Sequence, residues 1–155
     1  MLKNLVAAGA LAVVAASPVS AAEVRFYGAF VVTEQAGTCP NGDQVGQRFF
    51  ARFRPRNLGD NPPHSDLNLF EISFAQGFRL VDGAFGGSFK QVQATFIGGG
   101  SGLNEDNPVR VKFLTQEPSP IKANTPFVNI TGQIKGYDFQ PNCTVTFSLA
   151  LTKQV

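Results

Sequence analysis

The stretch from Cys143 to Thr152 leaves few folds open to this chain. Cys143, Val145, Phe147, Leu149 and Leu151 alternate with Thr144, Thr146, Ser148, Ala150 and Thr152. A period of two puts the apolar set on one face of a β-strand and the polar set on the other, whereas a helix would scatter both around its circumference. The same period recurs along the chain. Val24, Phe26, Gly28, Phe30 and Val32 share one parity, as do Val45, Gln47, Phe49, Ala51 and Phe53. Phe70, Ile72 and Phe74 read as the inward face of a third strand whose outward face is Leu69, Glu71 and Ser73, with Phe78 and Leu80 resuming past Gly77. Val92, Ala94 and Phe96, then Val109, Val111 and Phe113, then Val128, Ile130 and Ile134 complete the series. No segment after residue 22 sustains a helical stripe. Proline- and glycine-rich connections separate the strands. The expectation is an all-β domain over 23-155, an antiparallel β-sandwich or small barrel of about seven or eight strands with its N- and C-terminal strands adjacent.

Residues 1-22 read differently. One lysine, an apolar run from Leu5 to Ala16 and small residues up to Ala22 make a secretory signal peptide, and the run is shorter than the roughly 20 residues that span a bilayer. The expected location is secreted or periplasmic after signal-peptide cleavage, with no membrane span. Two cysteines in an oxidising compartment form one disulfide, Cys39 to Cys143, closing a loop of 104 positions. Antiparallel pairing of the first and last strands brings them together, with Val32 expected opposite Cys143 and Phe147 opposite Gly28.

Composition narrows the chemistry. The chain has 15 Phe and 2 Tyr but no Trp, and only 1 His and 2 Cys, so most catalytic and metal constellations cannot be assembled. No metal, no cofactor and no catalytic residue is expected. A formal net charge of +2 gives no general attraction to nucleic acid or to a membrane surface. His64-Ser65-Asp66 contains the residue types of a hydrolytic triad, but three consecutive residues cannot form the required relay, and His64 is expected in an exposed loop. Glu71 and Asp82 have no defined spacing for glycoside hydrolysis. Gly98 to Gly102 lacks the lysine and following helix of a phosphate loop. The acidic turn Asn104 to Asn107 lacks the spacing of a calcium-binding loop.

One local feature stands out. In QRFFARFRPRN, Arg48, Arg52, Arg54 and Arg56 share the outward parity of one strand, with Phe50 among them and no acid nearby. Alternate side chains on a strand lie about 6.5 to 7 Å apart, so guanidinium groups and a ring line one ribbon. Such a ribbon can be a solvated face that discourages edge association, or it can hold phosphate, sulfate or carboxylate groups. A hairpin to the next strand is expected to place Phe53 opposite Phe70 and Arg52 opposite Glu71. The functional expectation is an exported non-enzymatic module with a binding or structural role in the cell envelope or extracellular space. Its partner would be an anionic envelope polymer or another protein. A carrier of a small apolar ligand in a barrel interior is the alternative, and a small secreted hydrolase is the third reading.

Overall fold

A computed structural model describes residues 22-39, 42-72, 75-80, 87-97 and 108-154. Its strands are β1 (Phe26–Gly37), β2 (Arg48–Arg54), β3 (Ser65–Phe70), β4 (Ala75–Leu80), β5 (Lys90–Gln91), β6 (Gln93–Ile97), β7 (Arg110–Glu117), β8 (Phe127–Lys135) and β9 (Cys143–Lys153). All pairings are antiparallel, in the order β5-β7-β8-β9-β1-β2-β3-β4-β6. The two ends of that order, β5 and β6, are separated in the chain only by Val92. One short stretch therefore pairs with β7 through Lys90 and Gln91 and with β4 through residues 93-97. The sheet is nearly closed, an up-and-down barrel in which β5 and β6 act as one strand position.

The interior follows from the alternation. Phe26, Phe30, Phe53, Leu67, Leu69, Val111, Ile130, Ile134, Val145 and Phe147 are all fully or almost fully buried. With eight strand positions, a barrel interior is just wide enough for side chains to fill. Phe53 on β2 and Phe113 on β7 stand on opposite walls, four pairings apart in either direction, and their ring centroids are 6.4 Å apart. Phe147 meets Phe113 at 6.2 Å and Phe30 at 4.8 Å. Rings from facing walls thus touch across the centre.

The first and last strands are neighbours, as expected, but in a different register. Phe30 lies opposite Leu149 and Val32 opposite Phe147, with a bulge between Val32 and Glu34. Parity is preserved because the ladder slides by an even number of residues, which a two-residue repeat alone cannot exclude. Gly37 then meets Cys143, and Cys39 bonds Cys143 with Cα atoms 4.6 Å apart. Phe147 does oppose a glycine, but it is Gly132 on β8. A Cβ there would lie 2.5 Å from Phe147 Cζ and 2.7 Å from the Lys112 carbonyl oxygen. Phe26 pairs with Lys153, so residue 26 and the C-terminal end of β9 lie at the end of the barrel away from the disulfide.

The third strand is also corrected. Phe50 faces Phe70, Arg52 faces Asn68, Phe53 faces Leu67 and Arg54 faces Asp66. Leu67 and Leu69 are buried while Ile72 is fully exposed, because β3 stops at Phe70 and the chain turns. The expected inward set of Phe70 and Ile72 runs across that turn, and Glu71 sits in it, exposed, rather than opposite Arg52. Val45, expected on the inward face of β2, is exposed in the turn before it. Phe74, the segment before Ala22 expected to be a signal peptide, Asp82, Gly98 to Gly102 and Asn104 to Asn107 lie outside the described residues. Among the described residues, no helix is long and apolar enough to cross a membrane.

Candidate functional site

The outer wall formed by β1, β2, β3, β4 and β6 carries three transverse rows, each fixed by the ladder. The first runs Arg54, Asp66, Arg79, Gln93; the second runs Tyr27, Arg52, Asn68, Gly77, Thr95; the third runs Ala29, Phe50, Phe70, Ala75. Residues in one row sit on adjacent strands, about 4.8 Å apart, and all point away from the filled interior. The rows differ in chemistry: charged, then polar with one aromatic ring, then apolar.

In the charged row, Asp66 is the hub. Its carboxylate accepts from Arg54 Nε at 3.1 Å and from Arg54 Nη2, and Arg79 Nε approaches its other oxygen at 3.5 Å. Glu23 accepts from Arg54 Nη1 at 3.1 Å and from Arg25. The Arg25 guanidinium hydrogen-bonded to Glu23 holds that carboxyl below its ordinary range. Arg54 is thereby clamped between two carboxylates, and its side chain is 24% exposed.

The polar row contains Arg52, which has no carboxylate at ion-pair distance among the described residues. Its guanidinium carbon lies 5.9 Å from the centroid of the Phe70 ring. Such a cation–π contact leaves the edge donors of the guanidinium open to a ligand. Beside it, Gly77 interrupts the wall. Without a side chain there, the surface sinks into a depression of about 430 Å³ whose lining includes Arg52, Asn68, Phe70, Arg79, Gln93 and Thr95. A smaller hollow of about 180 Å³, lined by Arg25, Arg52, Arg54 and Asn68, adjoins it through Arg52 and Asn68.

The apolar row gives an aromatic rim. Phe50, 53% exposed, lies 6.3 Å from Phe70 and 6.0 Å from Tyr27 in the middle row.

The four arginines of the basic segment therefore have four different fates. Arg48 is exposed at the start of β2, and Arg52 is on the wall of the depression. Arg54 is held by Asp66 and Glu23, whereas Arg56 falls past the strand end, beyond buried Pro55, so it does not share the ribbon. Sequence reasoning missed Asp66, Asn68, Gly77, Arg79, Gln93 and Thr95. Ser65-Asp66-Leu67-Asn68-Leu69 does carry the signal: two leucines alternate with an acid and an amide.

Strand alternation also disposes of the apparent triad. Ser65 is fully buried, its Oγ accepting from the Arg56 N–H at 3.0 Å, while Asp66 belongs to the outer face. His64 lies in the loop before β3, as expected, but is half-buried rather than exposed. Its side chain is 21% exposed, with Nε2 at 3.6 Å from Asp66 Oδ1. No group of three metal-ligating side chains occurs among the described residues. At the disulfide end, Tyr137 is buried and its phenol pKa is pushed well above the ordinary value by that burial. No family model, curated protein or solved structure matches the chain.

Proposed function

We propose that this chain is an exported, non-enzymatic binding module that engages an anionic polymer through the outer wall of β1 to β4 and β6. One observation carries the reading. Arg52 lies within cation–π distance of Phe70 yet has no carboxylate partner among the described residues, while its neighbours Arg54 and Arg25 are ion-paired. A guanidinium held in place but not neutralised has its donors free for an incoming anion. Arg48, exposed on the same face of β2, extends the contact.

Rings meeting across the barrel centre support this reading over the carrier, because an interior occupied by Phe53, Phe113 and Phe147 leaves no central space for an apolar ligand at that level. The disulfide supports an extracytoplasmic setting, in line with the reading of residues 1-22 as a secretory signal.

The test is retention on immobilised heparin, polyphosphate and polyuronate. The Arg48→Gln/Arg52→Gln double variant is expected to lose retention while its melting temperature stays within about 2 °C of the parent, since neither arginine has an ion-pair partner to lose among the described residues. Retention should also fall as salt rises, because exposed charges are screened beyond about 8 to 10 Å at ordinary ionic strength. A parent protein that passes through all three matrices at low salt overturns the proposal.

A further inference from the structure

We infer that the depression over Gly77 is a subsite for one ring of an acidic polysaccharide, the carboxylate of a uronate-type sugar meeting Arg52. The inference rests on the anionic-polymer reading above and names the polymer's class.

The two sides of the depression differ in chemistry. One side is the apolar row, where Phe70 presents a ring rimmed by Phe50. The other is the charged row, where Asp66, Arg79 and Gln93 line up on adjacent strands. Between them, Asn68 and Thr95 flank Gly77 on either neighbouring strand. A ligand that fits must be flat, apolar on one face and polar around its edge. A pyranose ring has that division: its axial C–H bonds make an apolar face that packs on an aromatic ring, and its hydroxyls project from the rim. The carboxamides of Asn68 and Gln93 and the hydroxyl of Thr95 both donate and accept, which suits hydroxyls that do the same. A polyphosphate chain has no apolar face and would leave Phe70 and Phe50 unused.

The charge pattern selects an acidic sugar over a neutral one. The two adjoining hollows bring together Arg25, Arg52, Arg54 and Arg79 against the carboxylates of Asp66 and Glu23. Asp66 is already engaged by Arg54 and Arg79, so it orders the wall instead of opposing the ligand. Arg52 is common to both hollows, and its planar fork recognises a carboxylate through two parallel hydrogen bonds. A volume of about 430 Å³ falls in the range of small-molecule sites, roughly 300 to 1,000 Å³.

Gly77 is what makes room. A Cβ at that position would sit 3.1 Å from Asn68 Oδ1 and 3.9 Å from Thr95 Cβ. A methyl group is therefore tolerated with a small shift of the Asn68 amide, whereas a valine fills the depression from its floor. Valine also suits a strand, so the change is directed at the ligand more than at the fold.

The experiment measures binding of a galacturonate hexamer, a neutral glucose hexamer of the same linkage length and linear polyphosphate to the parent and to Gly77→Val, Arg52→Lys and Asn68→Ala. The parent is expected to bind the galacturonate hexamer at least tenfold more tightly than the neutral one. Gly77→Val should weaken galacturonate binding at least tenfold with polyphosphate binding unchanged. Arg52→Lys, which keeps the charge but loses the fork and the stack, should weaken galacturonate binding about tenfold and polyphosphate binding less than twofold. Asn68→Ala serves as a second probe should valine perturb the ladder, and should also weaken galacturonate alone. If polyphosphate and galacturonate bind equally and all three variants leave both unchanged, the sugar subsite is refuted and the general anion surface stands. If neither anion binds the parent, both proposals fall together.

Discussion

Whether the barrel centre is filled decides between a surface binder and an internal carrier, and the Phe53 and Phe113 pair tests it. The rings come from opposite walls with centroids 6.4 Å apart in an edge-to-face arrangement. Truncating either to alanine is expected to cost about 3 to 5 kcal/mol, and two such losses approach the whole stability of a domain, about 5 to 15 kcal/mol. Leucine is the better probe, at about 1 to 2 kcal/mol for each single change. For a domain of about 130 residues, 1 kcal/mol corresponds to a melting shift of about 3 to 4 °C, so each single variant should melt about 3 to 8 °C lower. The contact itself appears in the double-mutant cycle. Rings that meet should give a coupling of about 0.5 to 1.5 kcal/mol, measured by urea unfolding with the disulfide intact and an unchanged m-value. Additivity within about 0.3 kcal/mol would mean that the walls do not touch at this level. The centre would then be open, and the carrier reading would regain its ground.

Replacing both Cys39 and Cys143 by alanine should remove about 4 to 5 kcal/mol in the chain-entropy model for a loop of 104 residues; a urea midpoint shift equivalent to under about 1 kcal/mol would show that strand pairing alone closes the fold. Gly132→Ala should cost about 1 to 3 kcal/mol, and Phe147→Leu should restore only part of it, because the Lys112 carbonyl that crowds the same Cβ is backbone. Asp138 is half-buried with a left-handed backbone, φ 52°, and burial raises its pKa above 3.8. A carboxyl raised in the folded state binds its proton more tightly there, so its contribution weakens as pH climbs from the unfolded value through the folded one. Asp138→Asn, which tolerates that backbone without the charge, should be more stable than the parent at neutral pH, with the gain vanishing below about pH 4 in thermal melts.

Much of this wall was legible in the alternation, and what was not has identifiable physical reasons. Parity was readable wherever four or more alternations ran unbroken, as in β9, β1 and the Phe49 to Phe53 stretch of β2. Register was not. Sliding β1 along β9 by an even number keeps every apolar residue inside, so the sequence cannot distinguish Val32 opposite Cys143 from Val32 opposite Phe147. The bulge after Val32, which lets Gly37 reach Cys143, leaves no mark in composition. In β3 the error was of parity: Phe70 and Ile72 are large and apolar, yet both lie at or past the strand end, and the shorter Leu67 and Leu69 are the residues buried. That inversion hid Asp66 and Asn68, and with them most of the candidate site. Arg52 is legible because the alternation from Phe49 to Phe53 is unbroken.

The inverted strand also changes what kind of surface this is. With Glu71 opposite Arg52, the basic ribbon would be internally neutralised and the solvated-face reading would suffice. The acid is instead Asp66, one row away, and it takes Arg54 and Arg79 while leaving Arg52 stacked on Phe70. A charge that merely discourages edge pairing has no need of such support and gains nothing from being held still. Holding it still matters when a ligand must be met in one orientation, because side-chain order established before binding is order that binding need not supply. The ladder extends the same economy to the whole wall. Residues about 4.8 Å apart across hydrogen-bonded strands, in rows about 6.5 to 7 Å apart along them, form a rigid, repeating surface on a filled barrel. A partner whose own charges and rings repeat along a stiff chain can meet several rows at once with little rearrangement on either side. An oligomer of two or three acidic sugars should therefore bind more weakly than a hexamer by more than the ratio of their lengths. An affinity that rose only in proportion to the number of sugar units would place all recognition in the single depression over Gly77.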